Sequence, residues 1–292
     1  QYMTSECMVY SMLLFVSISF SCLQLTSRLR RQRQWGVRDG YSGRLDAQTF
    51  AVRSARVVEL DSKQRVTQAL PAGSGLVAGS TFDLRADVGG VTWDFAKPQD
   101  RERALDRIRA EEPFLVVGSP PCTMFSSLQN LRADKGTAKW EARRRAAEVL
   151  LVFAAAVYQL QVQAGRHFLH EHPAGATSWN HPAIAKLRAR PGVGAVVAHQ
   201  CAFGLETSAQ DGGRALARKP TRFMSSSPAI LEALSRKCRG DHDHAPLLGG
   251  THAKDAAVYP QGLCSAIARG AAEQLRRDDR ARSTGGPVSA TH

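Results

Sequence analysis

The sequence predicts an α/β fold built on a Rossmann-like, doubly wound and mainly parallel sheet. Two observations predict it: short apolar strand segments alternate with longer helical segments, and polar or reactive side chains follow several of the strands. Ligands bind beyond the carboxyl ends of the strands in such sheets, so these side chains are candidate site residues. Five residues fall at or just past predicted strand ends: Asp61, Asp83, Asp94, Cys122 and Glu171.

The element boundaries follow from apolar runs and from the Pro, Gly and charged residues between them. The predicted strands are residues 55–60, 80–84, 91–95, 113–118, 166–171 and 194–200. The predicted helices are residues 97–112, 138–163, 228–237 and 262–277. Pro98 is tolerated in the first turn of the first helix, and the arginines at the end of the last helix complement its dipole.

The composition indicates a globular, basic protein. The 292 residues carry 39 Lys and Arg against 26 Asp and Glu, a net charge of +13. Such an excess favours a polyanionic partner such as nucleic acid; the alternative is charge that serves solubility alone. Arginine clusters at 28–33, 143–145 and 276–282. The 6 cysteines contain no CxxC pair, which argues against a small disulfide-bonded secreted protein and indicates a reducing compartment.

The N-terminal region contains an uncharged stretch, residues 8–25, which is just long enough to span a bilayer. Glu6 stands before it, where a secretory signal usually has basic residues. An upstream leader or a piece of a longer polypeptide is therefore favoured over a membrane anchor. If the stretch does span a membrane, the arginines at 28–33 hold the rest of the chain on the cytoplasmic side.

The stretch GSPPCTMFS, residues 118–126, brings a thiol to a predicted strand end. Its two prolines restrict the backbone just before Cys122. If a helix begins at Thr123, its N-terminal N–H groups favour the thiolate and lower the thiol pKa, which suits a nucleophile. The alternative is a buried structural cysteine.

Four motifs, in this order along the chain, resemble those of the C5-cytosine DNA methyltransferases, in particular the phage-type and retroelement-borne branch. GSPPCTMFS resembles the nucleophile motif, and FLHEHPAGA (168–176) resembles the next one, with His172 where the family has Asn. HQCAFGL (199–205) with KPTRFMSS (219–226) resembles segments of phage-type members, and AVYPQGLCSAIARG (257–270) resembles the last motif.

The resemblance implies the class I S-adenosylmethionine-dependent methyltransferase fold and methyl transfer to C5 of cytosine in DNA. Cys122 then adds to C6 of the base, and Glu171 holds or shares a proton at N3. The target base leaves the helical stack, and the basic surface holds the phosphates. The implied compartment is the nucleus or another DNA-containing intracellular compartment; no protein partner is evident.

Further site residues are implied by the same resemblance. The cofactor-binding residues are Glu59, Asp61, Asp83, Asp94, Ser119 and Pro120. The substrate-binding residues are Pro121, Ser126, Lys219 and Thr221. The first cofactor loop, VVELDSKQRV (57–66), departs from the family because it contains no glycine. An aspartate after a short strand also has the simpler interpretation of a cap.

The domain organisation follows the motifs. Residues 1–54 are an apolar leader and basic linker, 55–218 the catalytic core, 219–256 a small target-recognition segment, 257–277 a motif that completes the core, and 278–292 a disordered tail. No metal is predicted. The stretch CRGDHDH supplies weak candidate ligands in Cys238, His242 and His244, with Cys201 or His252 as a distant fourth; the alternative is a polar loop.

Two other functions stay open at this point. An amino-methyltransferase acting on adenine N6 or cytosine N4 has a similar Pro-Pro motif but needs no thiol. A decayed, non-catalytic nucleic-acid-binding domain of a mobile element is favoured by the glycine-free loop.

Overall fold

The computed structural model describes residues 55–85, 90–209, 213–247 and 256–284. The strands are β1 (Ala55–Leu60), β2 (Leu76–Phe82), β3 (Leu115–Gly118), β4 (His167–Pro173), β5 (Gly194–His199), β6 (Glu206–Ser208), β7 (Arg214–Leu216) and β8 (Pro220–Ser225). The α-helices are α1 (Pro98–Glu111), α2 (Ala138–Gln163), α3 (Pro182–Arg188), α4 (Pro228–Leu234) and α5 (Gln261–Thr284).

Six strands form one sheet in the order β2-β1-β3-β4-β8-β5. The first four strands in this order are mutually parallel, whereas β8 runs antiparallel to both β4 and β5. β6 and β7 pair separately as an antiparallel ribbon. The predicted α/β class and the mainly parallel sheet are confirmed.

Helices cover both faces of the sheet, so the predicted doubly wound arrangement is also confirmed. Val57 and Leu115 point to a core that they share with α4 and α5, and their neighbours Val58 and Val116 point to a core shared with α1, α2 and α3. Side chains alternate between the two faces of a strand, which is why strands buried on both faces read as continuous apolar runs.

The predicted strand at 91–95 is wrong. This segment is a loop and a turn before α1, and the second strand instead begins earlier, at Leu76. Trp93 donates its backbone N–H to the carbonyl of Asp83 at 2.9 Å and packs edge-on against Phe82. The aromatic residue Trp93, which suggested a strand, therefore holds the segment before α1 against the end of the edge strand β2.

The predicted boundary at residue 219 is also wrong. Residues 220–225 are β8, which lies between β4 and β5 inside the sheet, and α4 packs against α5. Phe223 and Met224 are fully buried, one in each core. Among the described residues of this segment, those that follow α4, 235–247, lie outside the sheet and its helices, and residues 248–255 fall outside the described ranges.

The predicted tail begins too early, because α5 continues to Thr284. The arginines of 276–282 lie on this helix and form ion pairs, for example Arg277 with Glu232 and Glu273. Asp278 Oδ2 lies 2.9 Å from Nε2 of His167 on β4, which holds the end of the helix against the sheet. Residues 285–292 lie outside the described ranges.

Among the described residues, one helix, α2, is long and apolar enough to cross a membrane. Its side chains Leu151, Phe153 and Tyr158 are buried in the core, as in the central helix of a globular domain. The predictions for residues 1–54, including the stretch 8–25 and the arginines at 28–33, fall outside the described residues.

Candidate active site

Four of the predicted site residues come directly after one set of paired residues in the four parallel strands. Phe82, Leu60, Gly118 and His170 are paired neighbours across β2, β1, β3 and β4. The next residues along these strands are Asp83, Asp61, Ser119 and Glu171. Residues in register across parallel strands lie side by side, so the sheet brings these four polar residues together at the carboxyl-end edge of the sheet, where the parallel strands finish.

The Cys122 loop leaves this edge directly after β3. A short 3-10 turn, Thr123–Phe125, follows the thiol where a helix start was expected. The predicted helix start at Thr123 is therefore wrong. The pKa of the half-buried Cys122 thiol is raised, first by burial and then by the charge of Glu171, while the Lys219 cation acts in the opposite direction. The predicted lowering of the pKa is wrong in this state of the protein, because the dipole of one short turn does not offset burial.

Side chains from α2 and β4 fix the loop. The guanidinium of Arg144 stacks on Phe125, 4.6 Å from the ring centre, and donates to the carbonyl of Met124 at 3.1 Å. Residues 143–145, one of the arginine clusters, thus begin beside the thiol loop.

His172 holds the Pro-Pro-Cys backbone, residues 120–122. Its Nε2 lies 2.8 Å from the carbonyl oxygen of Pro120, and its Nδ1 lies 2.6 Å from Oγ of Ser178. Because a carbonyl only accepts, Nε2 carries the proton, and Nδ1 accepts from the Ser178 hydroxyl. Burial lowers the pKa of His172, which favours this neutral form.

Glu171 is buried and only partly satisfied. Its residue is 6 % exposed. Oε2 accepts a hydrogen bond from the hydroxyl of Tyr259 at 3.3 Å, whereas Oε1 has no hydrogen-bond partner and lies 3.9 Å from Nζ of Lys219. Buried carboxylate oxygens are normally hydrogen-bonded, so this oxygen is available to a ligand group that shares a hydrogen bond or a proton with it.

Two further residues complete the surroundings of Glu171. The Tyr259 hydroxyl donates its hydrogen bond to Glu171, so in the short contact between Ser119 and Tyr259 the Ser119 hydroxyl donates to the Tyr259 oxygen. Lys219 also donates to the carbonyl of Ala256 at 3.0 Å. The pKa of Tyr259 is raised well above its ordinary value by burial and by the charge of Glu171.

The glycine-free loop after β1 is organised by two acidic residues. Glu59 Oε1 accepts from the backbone N–H groups of Arg65 and Thr67, each at 2.9 Å, and from the Thr67 hydroxyl at 2.7 Å. Asp61 has φ of 55°, a left-handed conformation in which Asp is one of the tolerated residues. The turn at the end of β1 is thus made by an aspartate in a left-handed conformation.

Asp61 also carries an unsatisfied group. Its Oδ2 is buried without a hydrogen-bond partner, and its pKa is raised to about 7 by burial and, secondarily, by the charge of Asp83. A carboxyl in this state is able to bind a cation or an N–H or O–H donor at the sheet edge.

The remaining predicted residues have local partners. Asp83 Oδ1 accepts from the N–H of Arg85 at 3.1 Å. Asp94 accepts from the N–H of Ala96 at 3.1 Å and pairs with Lys97 at 3.6 Å, which forms an Asx turn in the loop before α1.

On the predicted substrate side, Ser126 Oγ accepts from the N–H of Leu128 at 3.2 Å. Thr221 is fully buried and donates to the carbonyl of Lys219 at 3.2 Å. Thr221 thereby fixes the backbone of Lys219 without reaching the surface. Pro120 is buried and Pro121 is exposed beside the thiol.

Sequence reasoning missed Tyr259 as a site residue, although it lies within the segment AVYPQ that was assigned to the last motif. It also missed the role of His172 as a support of the thiol loop. His172 was visible only as a departure from the family pattern, and its contact with Pro120 depends on the register of β3 and β4.

Two other features lie away from this edge. A groove of about 570 Å³ runs along the outer side of β2, lined among others by Arg56, Trp93 and Arg107. It contains neither Cys122 nor Glu171, so its volume does not mark the reactive centre. Cys201, Cys238, His242 and His244 converge at a separate cluster; His252 lies outside the described residues.

No protein-family model matches the chain, and no curated protein matches it at a significant level.

Proposed function

We propose that the chain transfers a methyl group from S-adenosylmethionine to C5 of cytosine in DNA through a covalent adduct of Cys122. The observation that carries this proposal is the meeting of a thiol loop with a buried carboxylate, Glu171, that keeps one oxygen free of hydrogen bonds. The mostly parallel sheet with one antiparallel strand near its end is compatible with the implied fold. The order of the four resembling motifs along the chain supports the same reading.

Each residue type suits one step. Cytosine C5 is a poor nucleophile until a thiolate adds to C6. Cys122 Sγ forms this bond while Glu171 Oε1 gives or shares a proton at N3, so that the electron pair displaced from the C5–C6 double bond makes C5 nucleophilic. S-adenosylmethionine supplies an electrophilic methyl group. As the C5–methyl bond forms, the carbon–sulfur bond of the sulfonium breaks and S-adenosylhomocysteine leaves. A base from solvent then takes the C5 proton, the Cys122 thiolate departs from C6 and the N3 proton returns to Glu171, which restores the aromatic ring.

The electrostatics of the site couple thiol activation to base binding. The charge of Glu171 raises the pKa of Cys122, and Lys219 lowers it. When Glu171 takes up a proton that it shares with N3 of a bound base, its negative charge acts less on the thiol. The reactive thiolate is therefore favoured once the target is in the site, which protects the resting protein from side reactions.

The acidic edge of the sheet suits the cofactor. Asp61, with its unpaired buried oxygen, and Asp83, at the end of the neighbouring strand, would accept from amino and hydroxyl groups and favour a positive charge. Ser119 adds a hydroxyl next to Glu171. The turn at Asp61 meets the need that glycine meets in the family.

The net charge of +13 supports DNA as the substrate. Association with phosphates through Lys and Arg weakens steeply as salt rises. Among the described arginines beside the thiol loop, Arg145 is exposed on α2.

The test is single-turnover methylation of a DNA duplex with labelled cofactor, followed by location of the methyl group. The wild type should label C5 of cytosine. Cys122→Ser should bind DNA but transfer no methyl group, and Glu171→Gln should react more slowly by roughly 10²–10⁴. Glu102→Gln, which removes an exposed carboxylate on α1, is the matched control and should react at the full rate.

Four results contradict the proposal. Turnover of Cys122→Ser near the wild-type rate, or a methyl group on an exocyclic nitrogen, would establish an amino-methyltransferase. Equal rates for Glu171→Gln and wild type would remove Glu171 from the proton step. Absence of cofactor binding by calorimetry, with DNA binding intact, would establish a non-catalytic domain.

A further inference from the structure

Four potential metal ligands meet beyond the carboxyl end of β5, an edge strand of the six-stranded sheet. Cys201 lies in the 3-10 turn Gln200–Phe203 that follows β5, and Cys238, His242 and His244 lie in the loop that follows α4. One ligand atom from each of the four lies within 4.8 Å of all the others.

The distances suit one shared ion. Sγ of Cys238 lies 3.5 Å from Nε2 of His242 and 3.4 Å from Nε2 of His244. With Zn–S bonds of about 2.3 Å and Zn–N bonds of about 2.0–2.1 Å, a tetrahedral zinc ion separates its sulfur and nitrogen ligands by about 3.5 Å. The two imidazole rings converge on the same sulfur with their planes at 71°.

Hydrogen bonds in the loop set the protonation that a metal requires. Nδ1 of His242 lies 2.8 Å from a carboxylate oxygen of Asp241. An ionised carboxylate only accepts, so Nδ1 carries the proton and a neutral His242 directs the Nε2 lone pair into the cluster. A carboxylate behind a ligating histidine is the usual support of metal-bound imidazole.

The loop is also preformed around Cys238. Its sulfur accepts from the N–H of Gly240 at 3.3 Å, and its own N–H donates to Nδ1 of His199 at 3.0 Å. His199 in turn donates its backbone N–H to the carbonyl of Arg236 at 3.0 Å. These bonds tie the start of the loop to the end of β5, where Cys201 follows.

We infer that Cys201, Cys238, His242 and His244 bind one zinc ion in a closed tetrahedral site that fastens the loop after α4 to the end of β5. Two thiolates with two imidazoles select zinc over the hard cations that prefer oxygen. Binding releases the thiol protons of Cys201 and Cys238 to solvent. Four protein ligands leave no open position, so the ion is structural and takes no part in the methyl transfer proposed above.

The metal content of the full chain tests this inference. The protein is purified with a thiol reductant and without chelator, and its zinc is measured by elemental mass spectrometry. We expect one zinc per chain, and Co²⁺ exchanged into the site should show the intense absorption of a tetrahedral thiolate complex. Cys238→Ser and His244→Asn should lose the ion, whereas Cys122→Ser, which alters a thiol outside the cluster, should keep it.

A milder variant covers the case in which ligand substitutions prevent folding. Asp241→Asn removes only the carboxylate behind His242 and should lower zinc affinity about 10- to 100-fold in a chelator competition. An Asp243→Asn control in the same loop should bind as tightly as the wild type.

Several outcomes overturn the inference. One is a wild-type chain without stoichiometric zinc that also gives no tetrahedral Co²⁺ spectrum. Another is an intact mass two hydrogens short, with a Cys201–Cys238 disulfide in the peptide map. Zinc that survives in a folded Cys238→Ser protein would show that the ligands are wrong.

Discussion

Asp61→Asn is expected to stabilise the protein at alkaline pH. Asp61 turns the chain at the end of β1 with a left-handed backbone, and its Oδ2 is buried without a hydrogen-bond partner. Asn adopts the same backbone conformation and has nearly the same shape, so the substitution removes the charge and keeps the turn.

The size of the effect follows from the pKa of this carboxyl group. Burial and the charge of Asp83 raise the pKa of Asp61 from 3.8 to about 7. Between these two values the folded protein keeps a proton that the unfolded chain has lost, so the free energy of unfolding falls as pH rises and then levels off above about 7. At 1.36 kcal/mol per pKa unit the full difference is about 4 kcal/mol. Relaxation and water penetration reduce this, and we expect about 1–2 kcal/mol between about pH 5 and about pH 8.

The assay is urea unfolding of the wild type and of Asp61→Asn at about pH 5 and about pH 8. Histidines titrate in the same interval, but their contribution cancels in the difference between the two proteins. The variant should gain about 1–2 kcal/mol over the wild type at the higher pH relative to the lower. Parallel pH dependence of the two proteins would refute the reasoning, because the Asp61 carboxylate would then be as well solvated in the folded as in the unfolded state.

Two further substitutions test the residues that support the Cys122 loop and the packing at the end of β3. His172→Phe leaves the carbonyl of Pro120 and the hydroxyl of Ser178 without their buried partner. The substitution should lower the free energy of unfolding by about 1–3 kcal/mol and slow the proposed methyl transfer. An unchanged rate of methyl transfer would show that the Cys122 loop needs no support from β4. Gly118→Ala would put a Cβ 2.0 Å from the hydroxyl of Tyr158. It should destabilise the protein by about 1–3 kcal/mol in thermal unfolding, and the double variant with Tyr158→Phe should recover part of this loss. Strictly additive effects of the two substitutions would show that the strain lies elsewhere.

Local sequence patterns were sufficient for most of the fold. The buried run of 138–163 predicted α2 at its observed bounds, and the apolar segment 55–60 predicted β1. The strand β8 escaped because its sequence begins with a proline and its pairing with β4 and β5 joins segments far apart in the chain. The false strand at 91–95 has the aromatic and β-branched residues of a strand, but it forms a loop and a turn beside the edge strand β2.

Two candidate site residues, Cys122 and Glu171, could be chosen from the sequence because each has a reactive or ionisable side chain in a motif of its own. Cys122 follows the end of β3, as predicted, whereas Glu171 lies inside β4, which continues to Pro173 and does not end at residue 171. Their partners were not predictable in the same way, because the hydrogen bond from Tyr259 and the ion pair with Lys219 depend on how distant segments fold together. Cys201 is likewise separated from the other three members of its cluster by β6, β7, β8 and α4.

The position of α5 has a consequence for the order of synthesis. Tyr259 lies just before this helix, Gln274 on it accepts from the Ser227 hydroxyl at the start of α4, and Asp278 contacts His167. A chain still on the ribosome, with this helix not yet released, has its first four parallel strands but leaves the α5 side of the sheet open to solvent and Glu171 without its tyrosine. Premature termination before the helix would therefore yield an aggregation-prone product in which Glu171 lacks its hydrogen bond from Tyr259, and the release of α5 from the ribosome is the step that completes the surroundings of this carboxylate.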